Sequence, residues 1–165
     1  MDRRSYLAAL GTAAVGSLAG CTGGQVMTVR PARPIHVTRG RGEIVTIPAE
    51  GDAISYVARD DQRFAIYFFT SSRDLAAYRA FIDGENPERT PGGDIRIGSH
   101  AVPREGGDGF EASTPDRGRV SIDATGETYF VIDHSAYRME TVPPETAGPL
   151  SVALDLTVTK SALPV

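Results

Sequence analysis

Three consecutive residues, Asp133-His134-Ser135, carry the side-chain types of a hydrolytic triad: an acid, an imidazole base and a hydroxyl nucleophile. Triad chemistry needs these groups to converge from separate segments, with the nucleophile and the acid on opposite sides of the ring. Consecutive side chains at a strand end point in alternating directions. A turn is therefore expected here, with Asp133 and Ser135 bonding nearby backbone N–H groups. The three histidines, His36, His100 and His134, lack the i, i+2 or i, i+4 spacing of a compact metal site and would meet only through the fold. Asp83-Gly84-Glu85-Asn86-Pro87-Glu88 offers oxygen ligands suited to calcium, but without the spacing of a calcium-binding loop, and Pro87 stiffens it; a solvated loop is expected. Arg104-Glu105-Gly106-Gly107-Asp108-Gly109 reads either as a recognition loop or as a Gly-rich hairpin connection. No phosphate-cradling loop, nucleophile elbow or CxxC pair occurs. No catalytic residue, metal ligand or cofactor is expected, and a hydrolytic enzyme is the least favoured reading.

The chain opens Met1-Asp2-Arg3-Arg4-Ser5-Tyr6, runs through small and apolar residues from Leu7 to Gly20, and reaches its single cysteine, Cys21. A positive start, an apolar run and small residues at its end make the plan of an export signal. The run is shorter than the roughly 20 apolar residues that cross a bilayer. Arg3-Arg4-Ser5-Tyr6-Leu7 resembles the twin-arginine export motif, a signal read by a receptor; Asp2 stands where Ser or Thr is commoner, and Tyr6 where Phe is. Leu18-Ala19-Gly20-Cys21 resembles the lipobox of prokaryotic lipoproteins. The resemblance implies that residues 1–20 are a removable signal peptide and that Cys21 carries membrane lipid as the first mature residue. The domain would then be held at the extracytoplasmic face of the cell membrane. One acyl chain binds membranes only at about 10⁴ M⁻¹, whereas two anchor stably. The plain alternative is that Cys21 is a buried thiol in a short helix.

Charge narrows the partners. The chain holds 17 basic and 21 acidic residues, a net charge of −4. Removing residues 1–20 takes away Asp2, Arg3 and Arg4, leaving 15 basic against 20 acidic residues, a net of −5. Nucleic acid is not expected as a partner, because a polyanion needs a concentrated basic face. Lys160 is the only lysine. Scarce Lys with excess acid resembles the surfaces of salt-adapted archaeal proteins. Arg30, Arg33, Arg39 and Arg41 follow the anchor and could meet anionic headgroups, although a Debye length of about 3 Å at 1 M salt would screen them. A single cysteine excludes an internal disulfide framework.

The elements behind these residues read mostly as strands. Residues 21–34 contain two Gly and two Pro and read as a lipidated Cys followed by a flexible tether. From Ile35 onward, period-two runs cover Ile35–Val37, Ile44–Ile47, Ile54–Ala58, Phe64–Phe69, Ile95–Ile97, Gly109–Ala112, Val120–Ile122, Thr128–Asp133 and Leu150–Val158. Phe64, Ile66 and Phe68 alternate with Ala65, Tyr67 and Phe69, which predicts a central strand covered on both faces. One helix interrupts them. Ser71 offers an N-cap and Asp74 an early carboxylate; Leu75, Tyr78, Phe81 and Ile82 share one face, and Gly84 is a stop. Length and a 41% hydrophobic fraction fit one domain with a real core.

The predicted fold is all-β: a two-layer antiparallel β-sandwich over residues 35–165, jelly-roll-like, with one short helix. Gly126-Glu127-Thr128-Tyr129-Phe130-Val131-Ile132-Asp133-His134-Ser135 resembles the late strand and turn of jelly-roll sandwiches related to the GOLD domain, with His134 in place of the usual Asn. The Phe64–Phe69 strand, the Tyr-bearing helix and the Asp83-Gly84-Glu85 stop resemble the same type. Such domains are usually binding or accessory modules, and a fold alone licenses no activity. The leading expectation is a non-catalytic, lipid-anchored cell-surface protein whose extracellular partner is a protein or glycan. The alternative is a glycan- or peptide-binding module, for which Tyr56, Tyr67, Tyr129 and Tyr137 are the candidate groove aromatics.

Overall fold

The computed structural model describes residues 25–29, 33–85, 92–137 and 143–160. Arg3, Arg4, Cys21, Arg30 and residues 86–91 of the acidic stretch and its continuation lie outside them. The strands are β1 (Gln25–Val29), β2 (Ile35–Val37), β3 (Gly42–Ile47), β4 (Ala53–Asp60), β5 (Ala65–Phe69), β6 (Ser99–His100), β7 (Val102–Pro103), β8 (Phe110–Ser113), β9 (Val120–Ser121), β10 (Thr128–Asp133) and β11 (Leu150–Lys160), with helix α1 (Ser72–Ile82) after β5. They form two antiparallel sheets. The first has the order β1-β11-β4-β8-β7, with β2 also beside β11 and β9 beside β4; the second is β3-β10-β5-β6.

The alternating runs face as their pattern demands. Val152, Leu154, Leu156 and Val158 of β11, Ile54, Tyr56 and Ala58 of β4, and Phe64, Ile66 and Phe68 at β5 bury one continuous core between the sheets. The other side of β5, with Ala65, Tyr67 and Phe69, packs with Val131 under Leu75, Tyr78 and Tyr137. A half-exposed strand could not hold Tyr67 and Phe69; α1 is the layer that removes them from water. The helix starts where its cap requires. Ser71 is extended (φ −147, ψ 148) and its Oγ accepts from Asp74 N, leaving Leu75 and Tyr78 on the buried face. Gly84, at φ +76, ends it.

Two segments pass from one sheet to the other. β2 lies in the first sheet and β3 in the second, joined by a turn in which Arg41 N donates to Thr38 O (3.1 Å). Ser99–His100 pairs in the second sheet and Val102–Pro103 in the first; Ala101, buried at the corner, donates its N–H to Phe64 O (2.9 Å).

Two expectations need correction. Gln25–Val29 is not tether but an edge strand, running from Gln25 opposite Lys160 to Val29 opposite Leu156. The sandwich therefore begins at Gln25 rather than Ile35. The eleven-residue β11 outruns β2, and its free edge takes up these five residues. Ile95–Ile97 is a turn, not a strand. The Asp94 side chain accepts from Arg96 N (2.9 Å), and Asp94 O accepts from Gly98 N (3.0 Å), so side-chain capture of the backbone replaces a sheet ladder. The two isoleucines expected on one face are thereby parted: Ile97 is fully buried and Ile95 is 83% exposed.

Candidate functional site

The Asp133-His134-Ser135 segment closes β10 as a turn, and its groups face different surroundings. Asp133 is fully buried. Its Oδ1 accepts from the Tyr78 hydroxyl, and its Oδ2 accepts from Ser135 N (3.2 Å) and Ser135 Oγ (3.0 Å). Ser135 Oγ in turn accepts from Tyr137 N (3.1 Å). Burial pushes the Asp133 carboxyl up to about 6, although the hydrogen bonds from Tyr78 and Ser135 pull the other way. His134 is buried, lines a separate hollow with Phe110, Pro143 and Ala147, and its Nδ1 has no hydrogen-bond partner. Burial, and then the Arg39 charge, lower its pKa against the opposing Val37 backbone hydrogen bond and the Asp60 charge. The serine hydroxyl is thus committed to the turn and the imidazole looks elsewhere, so the three do not form a triad.

His36, opposite Ser151 on β2, and His100, opposite Ala65 on β6, are exposed, whereas His134 is buried. Among the described residues no three His, Cys, Asp or Glu side chains are placed to hold a metal. Tyr56, Tyr67 and Tyr137 are core residues, and Tyr129 is half-buried. The Tyr56 hydroxyl donates to Ile97 O (2.7 Å) and meets Ser99 Oγ (2.9 Å), tying the 94–97 turn to β4; burial pushes its ionisation up. The Tyr67 hydroxyl donates to Tyr137 O. These rings are no exposed stacking platform. Arg41 pairs with Asp83, and Arg39 donates to Pro143 O (3.1 Å), so both arginines brace loops.

The concave surface lies instead at the corner where the chain passes from β6 to β7. Two hollows meet there and share Ser99 and His100. One, of about 430 Å³, lies over Tyr67, Phe68, Gly93 and Ile95. The other, of about 740 Å³, is polar and lined by Arg59, Arg104, Glu105, Glu111 and Arg117. Arg59 and Glu111 sit directly opposite one another on β4 and β8. The Glu111 carboxylate accepts from Arg59 Nε (2.8 Å) and from Arg117 Nη2 (2.6 Å). Burial pushes the Glu111 pKa up, but the two guanidinium groups outweigh it and hold the carboxyl below its usual range.

Arg117 reaches Glu111 from a strained turn. Asp116 (φ 52) and Arg117 (φ 53) are consecutive non-glycine residues in the left-handed region, an arrangement that costs on the order of 1–3 kcal/mol each. The buried Thr114 holds the turn: its O accepts from Arg117 N (2.9 Å) and its Oγ1 donates to Gly118 O (2.7 Å). Arg104–Gly109 is the hairpin connection between β7 and β8, closed by Arg104 N donating to Gly109 O (3.1 Å). Of the residues lining the polar hollow, sequence reasoning singled out only this loop and His100. Arg59, Glu111 and Arg117 carried one usable signal, their outward positions in or after amphipathic runs.

No protein-family model matches the sequence, and no curated protein matches it.

Proposed function

We propose that the protein is a twin-arginine-exported lipoprotein whose sandwich serves as a non-catalytic binding module at the outer face of the cell membrane. The observation that carries this reading is the run from Arg3-Arg4 through small apolar residues to Leu18-Ala19-Gly20-Cys21. Receptor-read export and two acyl chains on Cys21 account for each part of it. The strand and turn at Gly126–Ser135, followed by the long β11, support a jelly-roll arrangement related to the GOLD domain. The excess of acid and the single Lys160, itself paired to Glu50 (2.6 Å), support a salt-adapted host.

Register supports a display role. Thr22-Gly23-Gly24 separates the anchor from β1 and reaches roughly 11 Å when fully extended. β1 begins opposite Lys160, so with a lipid on Cys21 that end of the first sheet would lie nearer the bilayer. β4 runs antiparallel to β11, with Ala53 opposite Thr159 and Asp60 opposite Phe110 at the far end. In that anchored arrangement the β7–β8 turn would lie at the end of the first sheet away from the anchor.

Membrane fractionation with lipid mass spectrometry tests the anchor. Cys21→Ala is expected to move the protein from the membrane to the soluble exported fraction. Replacing both Arg3 and Arg4 by Lys is expected to leave uncleaved precursor inside the cell. A Cys21→Ala protein still wholly membrane-bound would overturn the lipoprotein reading.

A further inference from the structure

We propose that the groove along β6 and β7 binds an acidic, aliphatic peptide segment of another protein in extended form. This deepens the binding-module reading and rests on it. Three features of the groove point the same way. The first is charge: Arg59, Arg104 and Arg117 face Glu105 and Glu111, with His100 beside them, in a chain whose overall charge is negative. Three guanidinium groups thus line the hollow against two carboxylates, with Glu111 shared by Arg59 and Arg117, an excess of one positive charge that suits a carboxylate-bearing partner.

The second is apolar exposure. Ile95 (83%) and Val102 (60%) are the exposed large hydrophobic residues among those described, and they line the two adjoining hollows, one each. Scattered exposed apolar side chains are ordinary, but two around one charged groove suit a ligand that alternates aliphatic and acidic groups.

The third is the sheet edge. Ala101 N donates to Phe64 O, so the preceding pair, His100 opposite Ala65, is the non-hydrogen-bonded one. Alternation then turns the His100 N–H and C=O away from β5 and off the edge, where an extended backbone can pair with them. Pro103 has no N–H, which confines strand addition to β6. A sugar ring would instead seek an exposed aromatic face, and the groove has none: Tyr67 is 8% exposed and Phe68 is buried.

The test uses the full-length protein in non-ionic detergent and a fluorescein-labelled peptide of alternating Asp and Val, read by fluorescence anisotropy. Saturable binding that weakens with added salt is expected, and replacing Asp by Lys in the peptide should abolish it. Arg104→Glu, at an exposed side chain, should weaken binding roughly tenfold, and Ile95→Ser should weaken it roughly fivefold, with unchanged unfolding temperatures. Binding that both variants leave unchanged would overturn the groove assignment while the binding-module reading stands. Full displacement by oligogalacturonate, with no dependence on Ile95, would make the ligand a glycan and overturn the peptide. Absence of saturable binding would also overturn it, whatever the fate of Cys21 in the fractionation experiment.

Discussion

Gly42→Ala should lower the unfolding temperature by about 10 °C, although it adds one methyl group. Gly42 opens β3 directly opposite Asp133. A Cβ there would run into the Tyr78 hydroxyl, with Tyr78 Cζ at 3.0 Å and Val131 Cγ1 at 3.1 Å. The ring cannot swing aside, because it is fully buried against Phe69 (centroids 5.5 Å) and Tyr137 (5.6 Å). Either the strand shifts or the hydroxyl leaves the Asp133 carboxylate. Overpacking costs about 1–3 kcal/mol, and depriving a buried carboxylate of a donor costs about 1.5–3 kcal/mol more. At about 2–4 °C per kcal/mol for a domain of this size, the drop follows. Tyr78→Phe alone should lose only the hydrogen bond. The double variant should be less destabilised than the two single effects together, since the first substitution removes the atom that the second strikes. Thermal unfolding followed by circular dichroism measures all three. A Gly42→Ala protein within 2 °C of the parent would refute the close packing of Tyr78 on β3.

That contact also marks where legibility in the sequence stops. Thr128–Asp133 and the long final strand are readable because alternation is local and a slip of one residue would expose every apolar side chain. The two faces of Phe64–Phe69 are readable for the same reason, and Ser71 with Asp74 announces α1 through short-range hydrogen bonding. The turn chemistry of Asp133 and Ser135 is equally local and was expected. Tyr78, by contrast, reads as one more apolar residue on a helix face; its bond to Asp133 spans 55 positions and has no sequence signature. β1 failed to show because five residues after a Gly-rich stretch become a strand only where an edge awaits them, and that edge belongs to Leu156–Lys160 at the other end of the domain. The turn at Asp94 was lost to the opposite error, since period two in Ile95 and Ile97 outweighed an aspartate able to seize the backbone.

The candidate site was the least legible part for a related reason. Arg59, Ser99, Arg104, Glu111 and Arg117 come together only because β4 pairs with β8 and because Ala101 turns the chain from one sheet into the other. Each is an ordinary polar residue in its own segment. Of the tyrosines that looked most like binding residues, Tyr56 is core between the sheets and Tyr67 and Tyr137 are core beneath α1, since an aromatic residue carries no mark of which face is covered until the opposing layer is placed over it.

Asp133 should make the protein gain stability as pH falls from 7.5 towards 4, over and above its other titrating groups. Its carboxyl has a folded pKa of about 6, raised chiefly by burial, against about 3.9 in an unfolded chain. A raised carboxylate pKa means that the neutral form is the one the fold prefers. Its contribution is fully present below the unfolded value and is lost as pH rises through the folded one. The limit of that contribution is about 3 kcal/mol, with about 1 kcal/mol present at pH 5 and about 2 kcal/mol at pH 4. Other groups act in the opposite direction. His134 is lowered by burial, so its neutral form is favoured and its contribution fades as pH falls below the usual histidine range. Asp94, held down by the Arg96 hydrogen bond against its own desolvation, and Glu111, held down by Arg117 and Arg59 against a larger desolvation, lose theirs at lower pH still. The informative quantity is therefore the difference between the parent and Asp133→Asn in urea unfolding at each pH. Asn at 133 cannot ionise and keeps an oxygen for Tyr78. Relative to the parent, it should be most stable at pH 7.5 and lose about 1 kcal/mol of that standing by pH 5. High salt should leave this difference intact, because the pair is buried, while surface pairs such as Arg96–Asp123 are screened. Identical pH profiles for the two proteins would mean that the carboxylate is solvated or already neutralised, and the buried Tyr78–Asp133–Ser135 network would have to be redrawn.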